Sequence, residues 1–281
     1  MNLSAKPLAR LVRTTVIPLL GGTLLAGCAT SPTGESTLLL NSPTQMNAIG
    51  EKSFEQIKAN TPIDSGDKVN RYVRCVSEAL IDRIPASYGL QSEQWEIRVF
   101  KDDAVNAFAV PGGKIGVYTG MLKMVDNQDQ LAAVIGHEIS HVLAQHSNAR
   151  LSQQQLTSTG LNMANLLLTN RVEAGTQEAL MTAMGLGAEY GVILPYSRSH
   201  EREADVLGQD LMADAGFDPR QASSLWRKMA AEGGSAPPEF MSTHPAPTSR
   251  VSILGDRVKE LQPIYEQARA EGRKPQCDAL R

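Results

Sequence analysis

Cysteine is scarce in these 281 residues. The 3 present are too few for a disulfide-dense scaffold or for a cysteine-rich structural zinc module. Aromatic residues make up only 5%, which excludes a stacking platform for single-stranded nucleic acid. Positive charge is not in excess either. Lys and Arg number 27 against 30 Asp and Glu, a net charge of −3, so nucleic acid is not an expected partner. No internal repeat recurs, and beyond the first thirty residues no apolar run is clean enough for a membrane span. What remains is an ordinary globular composition, 42% hydrophobic and 20% charged, with only 5 histidines to place.

Residues 1–13 carry Lys6, Arg10 and Arg13 and no acid. An apolar run from Thr14 to Gly27 follows, interrupted by Pro18 and the Gly21-Gly22 pair. A basic start and a short apolar stretch closed by small residues is the pattern of a secretory signal peptide, here 1–27. Leu25-Ala26-Gly27-Cys28 resembles a bacterial lipoprotein processing box. That likeness implies a mature chain beginning at Cys28, acylated there with chains such as palmitate and so attached to a membrane. Ala29 stands where an Asp would favour inner-membrane retention. The expected location is therefore the periplasmic face of the outer membrane. Residues 28–44, rich in Ser, Thr and Pro, are expected to be a tether. Export also implies an oxidising compartment, and with Cys28 lipidated the remaining Cys75 and Cys277 have only each other to pair with.

Residues 45–281 are expected to form one domain. Helical spacing runs over Gln45–Ala59 and Asp67–Ile84, the second with Val69, Tyr72, Val73, Val76, Leu80 and Ile84 on one face. Period-two alternation predicts strands at Trp95–Phe100, Val105–Val110 and Lys114–Tyr118, the last two joined by a Pro111-Gly112-Gly113 turn. Helices are then predicted over Leu131–Gln145, Leu151–Asn170, Glu178–Val192, Ser199–Ala215, Pro219–Glu232 and Ser249–Ala270. The pattern predicts an α+β, mostly helical chain with a small antiparallel sheet.

The chemistry concentrates at His137-Glu138-Ile139-Ser140-His141, inside an otherwise apolar helix. Residues four apart share a helical face, so both imidazoles can reach one Zn²⁺ at roughly 2.0–2.1 Å. Glu138 lies where its carboxylate can reach an attacking water, the H-E-x-x-H arrangement. Polar groups in an apolar stripe are costly unless satisfied, which argues for a ligand. The longer pattern with a third histidine six residues on is excluded, since Ala144 and Ser147 occupy its Gly and His positions. The third ligand is sought in His200-Glu201-Arg202-Glu203-Ala204-Asp205. Glu201 can complete the donor set, and Asp205, one turn on, can fix a ligand histidine's tautomer. His146 is read as a surface residue near a helix C-terminus, and His200 and Glu203 as solvent-exposed.

HExxH followed by ExxxD resembles the zinc metallopeptidase family that includes the CAAX-processing endopeptidases, HtpX, and the periplasmic proteases BepA and LoiP. Asn106–Ile115, Tyr118–Leu122, the His244-Pro245 loop and Arg250 fit the same family in the same order. The signal and lipobox place it nearest the LoiP-like lipoproteins. The resemblance implies a zincin-like (gluzincin) fold over roughly residues 45–260, with one Zn²⁺ per chain. It implies His137, His141 and Glu201 as ligands, Glu138 as the catalytic base and Asp205 as their support. The expected reaction is peptide hydrolysis in unfolded or misassembled envelope proteins, alongside other quality-control or assembly proteins. His244, Tyr196 and Arg250 are candidates for stabilising the oxyanion. Relatives make His244 alternatively a fourth, inhibitory ligand. Gly112, Gly113, Lys114, Ile115 and Gly116 are expected to form an edge strand that holds an extended peptide. Two rival readings stand beside these: a latent or non-proteolytic chaperone or assembly factor with the same fold, and a purely structural zinc site.

Overall fold

A computed structural model describes residues 28–169, 171–188, 194–232, 238–244 and 249–280. The expected leader 1–27 and Pro245 lie outside them, as does the side chain of Tyr196. The described residues open with a hairpin, β1 (Cys28–Thr30) and β2 (Ser36–Leu38), where a tether is expected. The reason is a set of polar partners across the chain. Leu40 N–H donates to Ser152 Oγ at 2.8 Å, and Asn148 donates to Asn41 C=O at 2.7 Å.

Helix α1 (Pro43–Asn60) starts at a capping box between Ser42 and Gln45, with Pro43 pre-set for the first turn. Helix α2 (Asp67–Ile81) buries Tyr72, Val73, Val76 and Leu80, the stripe expected from their spacing. It ends three residues before the predicted Ile84. Strands β3 (Glu96–Phe100), β4 (Ala107–Val110) and β5 (Lys114–Tyr118) form one sheet in the order β3-β5-β4. The sheet is mixed, not antiparallel: β4 runs antiparallel to β5, but β3 runs parallel to it. Gly112 and Gly113, at φ 86° and 75°, fold β5 back on β4, and β3 is left to pair with its other side. The predicted edge residues Gly112, Gly113, Lys114, Ile115 and Gly116 therefore belong to the turn and the central strand. The free edge near the helices belongs to β4.

One sheet face carries Phe100, Phe108 and Tyr118, which meet one another, and Phe100 and Phe108 also meet Phe54 of α1, with ring centroids 6.0–6.2 Å apart. Gly116 is required here, because a Cβ on it would lie 2.3 Å from the Phe108 ring. The other face supplies Val99, Ile115, Val117 and Ala107 to the main core, against α2 and α4 (Gln128–Leu143). A short helix, α3 (Thr119–Met124), joins sheet to α4, whose N-cap is Asn127. Helices α5 (His146–Leu168) and α6 (Ala174–Ala188) lead on to α7 (Leu194–Ala215), α8 (Arg220–Glu232), α9 (Glu239–Thr243) and α10 (Arg250–Ala270). Among the described residues, no helix is long and apolar enough to cross a membrane.

Two features fix α4. It packs closely on α7 where Gly136 meets Gly208: a Cβ on Gly208 would lie 2.8 Å from His137 N. Its first residue, Gln128, is gripped by the C-terminal tail. Gln128 Nε2 donates to Pro275 C=O at 2.8 Å, and its backbone N–H donates to Asp278 Oδ1 at 2.9 Å. The tail is in turn bonded to α2 by the expected Cys75–Cys277 disulfide, closing a sequence separation of 202 residues.

Candidate metal centre

Helix α4 presents His137 and His141 on one face, and the Gly136–Gly208 contact brings Glu201 of α7 against them. His244, at the end of α9, joins from the opposite side. One donor atom from each of His137, His141, Glu201 and His244 lies within 4.8 Å of the others. His137 Nε2 is 3.0 Å from His141 Nε2 and 3.3 Å from Glu201 Oε2. His141 Nε2 is 3.5 Å from Glu201 Oε1, and His244 Nδ1 is 3.2 Å from Glu201 Oε2 and 3.3 Å from His137 Nε2.

These separations test whether a metal ion fits. Tetrahedral bonds of roughly 2.0–2.1 Å give ligand-to-ligand edges of about 3.3–3.4 Å, close to the values found. Imidazole and carboxylate are borderline to hard donors and suit zinc. Converging lone pairs repel one another, so this buried cluster is built to hold a cation.

The surroundings fix each ligand. His137 Nδ1–H donates to Asp205 at 3.0 Å, which leaves Nε2 for the ion. Arg250 Nε donates to the other Asp205 oxygen, and its Nη2 to Glu201 Oε2 at 3.1 Å. The guanidinium lies 3.6 Å from the Trp226 ring centroid, a cation–π contact. Arg250 is thus spent on bracing two carboxylates inside the protein, and not on the oxyanion considered from sequence. Burial pushes Glu201 up, but hydrogen bonds from His137 and His244 outweigh it and hold the carboxyl well below its usual range. Burial also disfavours the charged His137 ring, yet the carboxylates of Asp205 and Glu201 raise it to about 9, and the Nε2 proton this implies is the one a bound ion would displace.

Glu138 is buried, and burial pushes its carboxyl up. Its Oε2 accepts the Ala109 N–H of β4 at 3.2 Å. Its Oε1 makes no hydrogen bond but lies 3.4 Å from His244 Nε2.

Three residues read as solvent-exposed are buried instead: His146, His200 and Glu203. Gln145 takes a left-handed conformation, φ 54°, so α4 stops and α5 starts in a new direction. That break puts His146 at the first position of α5, with Nδ1 2.8 Å from His141 Nδ1. The sequence holds no Gly or Pro to announce the break. A surplus of His and Glu within buried helices was the one available signal.

Comparison with known proteins agrees with this geometry. A family profile described as "Peptidase family M48" matches residues 67–258, more than half of the chain. The chain is 37% identical over 188 residues to mitochondrial metalloendopeptidase OMA1 of Schizosaccharomyces pombe, covering 65% of this chain and 52% of that one. It is 28% identical over 239 residues to the beta-barrel assembly-enhancing protease of Escherichia coli, covering 83% of this chain and 47% of the relative. The chain thus spans about half the length of these curated relatives.

Proposed function

The chain belongs to peptidase family M48, and on that premise we propose that it is a zinc-dependent endopeptidase cutting unfolded or misassembled envelope proteins. A lipid on Cys28 would hold it at the periplasmic face of a bacterial outer membrane. The observation that carries the activity is the convergence of His137, His141 and Glu201 beside the buried carboxylate of Glu138. For the location, support comes from the pattern of residues 1–28 and from the Cys75–Cys277 bond, which suits an oxidising compartment. For the substrates and for assembly partners, it comes from the names of the beta-barrel assembly-enhancing relatives.

When bound, zinc lowers the pKa of water and polarises a carbonyl. The protein's own groups do the rest. Because Ala109 N–H occupies Oε2, Glu138 Oε1 is the atom free to take a proton from the attacking water and return it to the leaving amine. Tyr118 N–H donates to Asn106 C=O at 3.1 Å, which sets Asn106, Phe108 and Val110 to face β5. Ala107 and Ala109 then turn their backbone groups outward, next to Glu138. An extended peptide can add to this edge through its main chain, with little demand on sequence. Such a site favours segments that are already unfolded.

His244 has a double grip on the site. Its Nδ1 sits among the metal-binding atoms, and its Nε2 faces Glu138 Oε1. Four protein donors close a tetrahedral site, whereas catalysis needs one position open. We therefore read this arrangement as a closed resting form, opened when the α9 end carries His244 away. The same observation favours the second reading, a latent protease acting mainly as an assembly factor. Metal content together with casein degradation, run with a chelator and with Glu138→Gln, separates the two. Zinc-dependent cleavage lost in Glu138→Gln supports the peptidase, while bound zinc without cleavage in the parent or in His244→Ala rejects it. A Cys28→Ser protein that stays in the membrane fraction would reject the lipid anchor.

A further inference from the structure

His137 is oriented by a carboxylate it touches. His141 touches none through its outer nitrogen, and a longer chain of groups runs behind it. His141 Nδ1 is 2.8 Å from His146 Nδ1, and His146 Nε2 is 3.0 Å from Glu203 Oε2. Glu203 Oε1 accepts both the N–H and the Oγ–H of Thr33, at 3.2 and 2.7 Å. His200 stacks on the His146 ring with centroids 4.1 Å apart and planes at 14°, which holds that ring in its plane.

For His141 to offer Nε2 to a metal ion, the protons in this chain have one consistent arrangement, with the His146 ring neutral. A carboxylate only accepts, so His146 Nε2 carries the hydrogen it donates to Glu203. In a neutral ring, Nδ1 of His146 is then an acceptor, and His141 Nδ1 must carry the hydrogen between them. His141 Nε2 is left with a lone pair, and that atom is the one facing His137 and Glu201. His141, His146 and Glu203 are all buried, so water cannot replace a lost partner without cost.

We propose that His146 and Glu203 are positioning residues for the metal centre, holding His141 in the tautomer that offers Nε2, with Thr33 of the N-terminal hairpin fixing Glu203. The proposal rests on the metal-site reading above, and adds to it a second carboxylate acting through an intervening imidazole. It also gives the hairpin a part in the site, since Thr33 lies between β1 and β2.

The test uses the full chain, stripped of metal and titrated with Zn²⁺ against a chromophoric chelator. Co²⁺ titration then reads the visible ligand-field bands. His146→Phe keeps a ring against His200 but offers His141 no acceptor. It should weaken zinc binding about 10–100-fold and change the Co²⁺ bands, while the melting transition stays cooperative. Glu203→Ala should do the same, and Glu203→Gln, whose amide oxygen still accepts from His146, should recover much of the loss. If His146→Phe does not fold, the contrast between Glu203→Ala and Glu203→Gln carries the test. Affinity and bands like the parent's in His146→Phe and Glu203→Ala overturn the proposal, as does Glu203→Gln falling as far as Glu203→Ala. A parent that binds no metal would instead overturn the peptidase reading.

Discussion

The two oxygens of Glu138 have different surroundings, and that difference yields the most direct test of mechanism. A Gln at this position can still accept the Ala109 N–H through its amide oxygen, so the local structure should persist. The atom that moves the proton is lost. Glu138→Gln should therefore keep its metal, by elemental analysis, while kcat/KM falls by about 10²–10⁴. His244 makes the opposite case. If it closes the site, His244→Ala should cleave casein several-fold faster than the parent, in assays matched for zinc content. Both residues were legible in the sequence for different reasons. Glu138 lies between two histidines at helical spacing, and His244 is the histidine beyond the ligand helices. His146 and Glu203 were not legible, because their roles depend on the turn at Gln145 and on which face of α7 meets α5.

Helices α4 and α7 must approach closely for Glu201 to reach the two histidines, and two glycines allow it. A side chain at position 208 would be driven into the backbone at His137 N. Gly208→Val should cost about 1–3 kcal/mol in a chemical melt, through overpacking, and should weaken zinc binding as well. Near the sheet, Glu96 bonds Lys58 of α1 and Lys114 of β5. Burial pulls its carboxyl up, but the hydrogen bonds from Lys58 and Lys114 outweigh it and leave it below the usual 4.5. A lowered folded pKa means the bonus is full above the unfolded value and fades as pH falls through the folded one. Glu96→Gln should thus lose under about 1 kcal/mol at pH 7, since the pair is partly exposed, and the gap to the parent should shrink below pH 4.5. The alternation in the sequence located β3, β4 and β5 within two residues, yet not their order. Pairing of β3 with the far side of β5 is a long-range outcome that period-two patterning does not encode.

Over the whole molecule, the disulfide is the longest covalent shortcut among the described residues. Replacing Cys75 and Cys277 together should lower stability by about 2–4 kcal/mol, read as the shift in a denaturant midpoint with and without reductant. Its pairing was legible from the count of cysteines together with the export expected from residues 1–28. The fold of the hairpin that precedes α1 was not, because its partners, Asn148, Ser152 and Glu203, lie more than a hundred residues downstream.

Both termini of the described chain meet at the ligand-bearing helix. The tail clasps Gln128 at its start, and Thr33, through Glu203 of α7, reaches His146 just past its finish. A ribosome emits Thr33 long before Pro275 and Asp278. A nascent polypeptide still lacking Pro275 and Asp278 has no clasp on Gln128, so the helix is secured from both sides only once the chain has been made as far as Asp278. Such ordering ties the completion of a cutting site to the last-made part of the described residues.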